Sequence, residues 1–162
     1  MKHLPLLVIL MPLCGALLCP LLGKLSRNAG KRAVICTLFA AVVCAALQLV
    51  QVVRGGAALH YWLGGWKPPY GIEFVIDGIN APIILLVAVI SFLTALYSCP
   101  FEETETHTTT RVSLYYTTLA CLAIGLLGMA STGDAFNFYV FMEITALAGY
   151  GLIAAGEGKG PI

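Results

Sequence analysis

Charged side chains are scarce in this sequence: Asp, Glu, Lys and Arg together make up 10% of its 162 residues. A soluble domain has about 25% charged residues, because a fold surrounded by water needs a polar coat. Hydrophobic residues account instead for 59% of the chain. A soluble fold is therefore excluded, and the composition predicts an integral membrane protein.

The sequence also lacks the patterns that bind nucleic acids, metals and cofactors. A net charge of +1 provides no basic field to collect phosphates. No Gly-rich phosphate loop, nucleophile–base set or redox ligand set occurs. We therefore expect no nucleic-acid partner, no metal and no cofactor, and we expect any redox centre to lie on a partner subunit.

Cysteines and histidines are present but form no metal-ligand motif. The cysteines lack a CxxC pair and lie in or at the ends of apolar segments, where they are expected to be small hydrophobic side chains. They are Cys14, Cys19, Cys36, Cys44, Cys99 and Cys121. His3 and His107 lie near loop ends, and His60 lies beside an aromatic group typical of a membrane-surface belt.

Long apolar runs dominate the rest of the sequence. Five segments have the length of about 20 residues that a helix needs to cross a bilayer. They run approximately over 4–23, 33–53, 78–99, 112–131 and 135–155. We expect an all-α membrane protein with a single transmembrane domain over residues 1–162. Lys2 followed by an apolar run also resembles a signal peptide, but basic residues occupy the place of a small-residue cleavage site, so the first span is expected to be retained.

The connection between the second and third spans has the pattern of a short hairpin. Glycine and proline pairs interrupt it, and GIEFVID alternates apolar residues with Glu73 and Asp77. Asp77 or Asn80 is expected to cap the third helix. Asp134, in the turn STGD, is expected to cap the fifth helix, with direct ion transfer as the less favoured alternative.

The distribution of basic residues predicts the orientation. The first loop, KLSRNAGKR, carries four Lys and Arg residues, and short basic loops stay in the cytoplasm. The N-terminus and the hairpin are then outside, and the C-terminal EGKGPI is cytoplasmic. The second cytoplasmic loop is acidic, with Glu102, Glu103 and Glu105, but acidic residues contribute little to this rule.

Glu143 lies near the middle of the last apolar segment. An acid at this depth costs several kcal/mol and is rarely found without a partner or a task. Helical spacing places Glu143 on one face with Phe136, Tyr139, Val140, Ala146, Leu147 and Tyr150. The Tyr139 and Tyr150 hydroxyls, one and two turns away, are secondary candidates for proton transfer. No Lys or Arg lies inside the five apolar segments, so we expect a basic partner to come from another chain.

Two stretches carry a family resemblance: TGDAFNFYVFMEITALAGYGL and WKPPYGIEFVIDGINAPIILLVAVISFLTALYS. They resemble the N-terminal part of the antiporter-like subunits of Mrp-type cation/proton antiporters, group 4 membrane-bound hydrogenases and respiratory complex I (NADH-quinone oxidoreductase). The D-type Mrp subunit and its hydrogenase counterpart are the most similar. The resemblance implies a non-catalytic membrane subunit of a hetero-oligomeric complex, in the cytoplasmic (inner) membrane, with Glu143 in its proton pathway.

Family members are longer, with about fourteen helices in two inverted repeats whose broken helices carry buried lysines. The resemblance therefore leaves two alternatives open. Either a separate chain supplies the later helices and lysines, and Glu143 relays protons together with them, or the chain is a truncated copy that acts as a scaffold of the membrane arm and transfers no ions of its own. The sequence does not distinguish protons from sodium, or hydrogen evolution, quinone reduction and simple antiport as the driving process.

Overall fold

Five long helices and one β-hairpin make up the computed structural model, which describes residues 3–67, 70–104 and 109–156. The helices are α1 (Leu4–Leu25), α2 (Arg27–Gly55), α3 (Asn80–Thr104), α4 (Thr109–Ser131) and α5 (Ala135–Gly156). Strands β1 (Leu59–Trp62) and β2 (Glu73–Ile76) pair antiparallel between α2 and α3. All five helices are long and apolar enough to cross a membrane. The predicted all-α membrane fold is confirmed, and its interhelical loop contains the expected hairpin.

Helix α2 begins six residues before the predicted boundary at 33. The apolar residues mark only the part of a helix that can lie in lipid. Lys and Arg are good helix formers, so the helix can extend beyond that part. Only Ser26, with extended backbone angles, separates α2 from α1. Lys31 therefore lies within the helix, and only 8% of it is exposed. Helix α3 also ends later than predicted, at Thr104.

Small residues bring α1 and α2 close together. The backbone of Gly15 faces the Thr37 side chain, and a Cβ at Gly30 would lie 2.7 Å from the Cys19 carbonyl oxygen. Such close backbone approach is typical of membrane helices, where packing rather than the hydrophobic effect holds neighbours together. The antiparallel α1–α2 pair forms one side of the bundle.

Helix α4 is central and α5 is peripheral. Half of the α4 span is buried, compared with 17% of the α5 span. The α4–α5 interface depends on small residues as well, because the Phe141 ring packs over Gly128 and the Thr145 side chain packs against Gly125. Helix α5 is thus attached to the bundle mainly along α4.

The hairpin, the start of α1 and the turn between α4 and α5 meet at one end of the bundle, the hairpin end. The Gly133 N–H donates to the Glu73 carbonyl oxygen at 2.9 Å, and His3 Nδ1 lies 3.1 Å from the Tyr61 hydroxyl. Phe74 and Ile76, on the inner face of β2, are buried. The predictions about Pro68–Pro69, Glu105, His107 and EGKGPI concern residues outside the described ranges.

Candidate functional site

Glu143 projects from the side of α5 that faces away from α4. Phe141, Thr145 and Ala148 define the packed side of α5. At 100° per residue, Glu143 lies about 160–220° around the helix from these three residues. Its side chain is exposed on the surface of the chain. Glu143 is therefore positioned to meet lipid or another polypeptide rather than its own bundle.

The side chains that sequence spacing places beside Glu143 form one continuous surface, the open face of α5. Its large members are strongly exposed: Phe136 75%, Tyr139 60%, Leu147 62% and Tyr150 69%. Val140 belongs to the same face and is 38% exposed. The positions 136, 139–140, 143, 147 and 150 repeat every three or four residues, which is the spacing of a seam that packs against another helix.

No hydrogen bond or ion pair joins Glu143 to another residue in the described part of the chain. Lys31, the buried lysine that sequence analysis placed outside the spans, lies toward the opposite end of the bundle. It is 24 residues from the hairpin end of α2, whereas Glu143 is eight residues from the hairpin end of α5. Their separation along the bundle is about 24 Å, so Lys31 is not the partner of Glu143.

Asp134 has a structural role at the start of α5. Its Oδ1 accepts a hydrogen bond from the Phe136 N–H at 3.1 Å, and its carbonyl oxygen accepts from the Phe138 N–H at 2.9 Å. The buried Asn137 steadies the same turn, since its Nδ2 donates to Thr132 Oγ1 at 3.1 Å. The predicted N-terminal cap is confirmed, and Asp134 lies at the beginning of the helix that carries Glu143.

Asp77 and Asn80 cap α3 reciprocally. Asp77 Oδ1 accepts from the Ile79 and Asn80 N–H groups, both at 2.8 Å, while Asn80 Oδ1 accepts from the Asp77 N–H at 2.7 Å. The hydrogen bonds from the Asn80 and Ile79 backbone lower the pKa of the Asp77 carboxyl group. The sequence offered either residue as the cap, and the structure uses both.

A polar cluster on the hairpin involves Glu73, which sequence analysis treated only as part of a strand pattern. Its Oε1 lies 2.8 Å from His60 Nδ1 and accepts a hydrogen bond from Trp62 Nε1 at 3.0 Å. The His60 interaction, aided by Trp62, lowers the pKa of Glu73. The Lys67 ammonium lies 5.2 Å from the centre of the Trp62 ring. This cluster fixes an aromatic surface at the hairpin end.

Two features of the interior were not anticipated from the sequence. One is the burial of Lys31, which was not expected because Lys31 lies just outside the predicted apolar segment 33–53. The other is Gln48, a neutral amide in the run CAALQLV that is 1% exposed; a search for titratable side chains passes over it. In the described residues, no three His, Cys, Asp or Glu side chains come together as a metal site.

The chain is similar in sequence to subunits of known membrane complexes. The chain is 37% identical over 154 residues to the N-type subunit of NADH-quinone oxidoreductase of Desulforudis audaxviator, a match that includes 95% of the chain. It is 35% identical over 162 residues to the D-type subunit of the Na(+)/H(+) antiporter of Bacillus subtilis, with 98% of the chain matched. The chain is homologous to the antiporter-like membrane subunits.

A solved structure gives the same result in three dimensions. The archaeal membrane-bound sulfane sulfur reductase contains a chain that superposes on 91% of this chain with a TM-score of 0.81 and 34% identity. The chain spans about a third of the length of these proteins: 30% and 31% of the two relatives and 29% of the solved chain. No protein-family model matches it.

Proposed function

We propose that this chain is a membrane subunit of a multi-subunit complex that moves protons or other cations, with Glu143 as an acid of its intramembrane proton relay. The observation that carries the proposal is the position of Glu143 at the centre of the open face of α5. The relatives support it, since they are named as subunits of an oxidoreductase and of a cation/proton antiporter.

A relay acid must change its protonation state at working pH. Desolvation favours the neutral carboxyl form, while a nearby cation favours the carboxylate, so a cation that approaches and withdraws drives proton uptake and release. Glu143 lies about 12 Å along α5 from its first residue, a depth at which snorkelling to the surface is difficult. The open face leaves its carboxyl group accessible to such a cation.

The partner that fits this face is a membrane helix of another subunit with a basic side chain at the height of Glu143. The three-and-four spacing of the exposed aromatic and aliphatic residues suits helix–helix packing. A buried Lys or Arg would compensate the acid, which lipid alone cannot do. Tyr139 and Tyr150, on the same face, are candidates to pass a proton to or from Glu143.

The orientation is part of the proposal. Lys24, in the last turn of α1, and Arg32, near the start of α2, lie at the end of the bundle opposite the hairpin, and Lys and Arg close to the ends of spans are retained in the cytoplasm. The hairpin end then faces outward, with α5 running toward the cytoplasm. For a bacterial or archaeal cell, the location that we propose is the cytoplasmic membrane.

A scaffold role is the second candidate, and the composition of the open face favours it. Apart from Glu143 and the two tyrosine hydroxyls, this face is apolar, without a continuous polar track along α5. Glu143 would then only hydrogen-bond in an interface between subunits.

Glu143→Gln in the intact complex separates the two candidates, because glutamine keeps the size and hydrogen-bonding capacity of the side chain but cannot carry a proton. The relay predicts normal assembly with loss of proton translocation in inverted vesicles. The scaffold predicts unchanged translocation whenever the complex assembles. Glu143→Asp, which retains the acid, and Glu73→Gln, which removes an acid on the hairpin, are the matched controls.

A further inference from the structure

Gln48 is a polar group sealed inside the helix bundle. It is 1% exposed, and neither its amide oxygen nor its amide nitrogen has a hydrogen-bond partner among the described residues. An amide left unpaired away from water costs several kcal/mol. A glutamine at this position therefore needs a partner that the described protein atoms do not provide.

The height of Gln48 follows from contacts between neighbouring helices. Phe39 of α2 packs against Phe92 of α3, and the Tyr116 hydroxyl of α4 donates to the Ala95 carbonyl of α3. Gln48 lies on α2 nearer the hairpin end than Phe39. A similar distance along α4 in the same direction leads to Gly128, which packs against Phe141. Gln48 is thus at nearly the height of Glu143, on the other side of α4.

The surroundings of Gln48 restrict its ligand. Its neighbours one turn away on α2, Ala45 and Val52, are buried and apolar. Phe74 and Ile76 of the hairpin are buried at the same end of the bundle. A lipid headgroup cannot enter so closed a site. A cation would require several oxygen ligands, whereas Gln48 offers one.

We infer that Gln48 binds an internal water molecule within the bundle. Water satisfies the amide because it can donate to Oε1 and accept from Nε2, and ordered waters commonly pair buried polar groups in this way. The small Ala45 side chain leaves more room beside Gln48 than a leucine would. The site is separate from Glu143, because α4 lies between them.

The chain contains only two glutamines, Gln48 and Gln51, which permits a direct test. The full chain is labelled with side-chain ¹⁵N-glutamine and placed in nanodiscs of deuterated lipid, and magnetisation transfer from water to the two amide groups is measured. Gln51→Met assigns the signals without altering Gln48. Gln51, which is half-buried one turn nearer the end of α2, is the internal reference for exchange with bulk water.

The Gln48 amide protons should show transfer from a water molecule of long residence and exchange with deuterated solvent far more slowly than those of Gln51. Gln48→Met should remove this signal and leave the Gln51 signal unchanged. The inference is overturned if the Gln48 amide protons show transfer only from protein or lipid protons. It is also overturned if they exchange as fast as those of Gln51.

Discussion

At the scale of single residues, the acids of this chain divide by whether local structure explains them. Asp77 and Asp134 cap helices, and Glu73 holds His60 and Trp62 in the hairpin. Sequence reasoning predicted both caps, because aspartate at the start of an apolar run is a local signal. Glu143 has no such local role. An apolar side chain there would favour insertion into lipid, which is why we propose a role for Glu143 in contact with another subunit.

Asp134 can be tested as a cap with two substitutions. Asp134→Ala should destabilise the chain by about 1 kcal/mol, because the Phe136 N–H loses its acceptor. Asp134→Asn should preserve both stability and translocation, since asparagine also caps. Thermal unfolding of the purified chain measures the first effect, and vesicle assays of the complex measure the second. Loss of translocation in a stable Asp134→Asn variant would assign Asp134 an ionic role.

The hairpin cluster should respond to acid. In the folded hairpin, the pKa of Glu73 is lowered from its ordinary value of 4.5. The ionised Glu73 side chain therefore stabilises the hairpin fully above pH 4.5. The effect is lost as the pH falls through the lower, folded-state value. Trp62 emission should therefore change below about pH 4.5, measured in a Trp66→Phe background that leaves one tryptophan. In Glu73→Gln this transition should be absent; its persistence would show that another group titrates there.

At the scale of elements, the α4–α5 contact determines where Glu143 points. Gly125 and Gly128 admit the side chains of Thr145 and Phe141, and this packing turns the opposite side of α5 outward. The spacing of side chains on α5 could be predicted from its sequence, because it follows from helix geometry. Which face packs against α4 could not, since that depends on glycines in a different helix.

Gly128→Ala should weaken this contact. The added methyl group overlaps the Phe141 ring, and overpacking of this kind costs about 1–3 kcal/mol. Gly149→Ala is the matched control, because nothing lies within 4 Å of a Cβ there, and alanine is the better helix former. Thermal unfolding in nanodiscs should rank Gly128→Ala lowest. Equal stability of the two variants would contradict the described packing.

At the scale of the whole molecule, the membrane class, the number of spans and the hairpin could be predicted from the sequence, because all three follow from local hydrophobicity and turn residues. Composition could not reveal that α4 is central and α5 peripheral, or that Lys31 is buried. Tertiary packing determines these features. The chain matches only about a third of each relative, and the partner helix that we propose would pack on the open face of α5.

The orientation predicts opposite results for reporters at the two ends. Alkaline phosphatase inserted after Gly64, in the hairpin loop, should be active because it reaches the outside. The same enzyme inserted after Leu25, at the basic end, should be inactive, and a fluorescent protein placed there should fold in the cytoplasm. Reversed activities would overturn the orientation and reverse the direction in which α5 runs.

Proton flux through the assembled complex tests the role of Glu143 most directly. The complex is reconstituted in proteoliposomes, and the initial rate of proton translocation is compared between wild type, Glu143→Gln, Glu143→Asp and Glu73→Gln at equal assembly. The account predicts a loss of roughly a hundredfold or more in Glu143→Gln, partial activity in Glu143→Asp and nearly wild-type flux in Glu73→Gln. Wild-type flux in a fully assembled Glu143→Gln complex would contradict it.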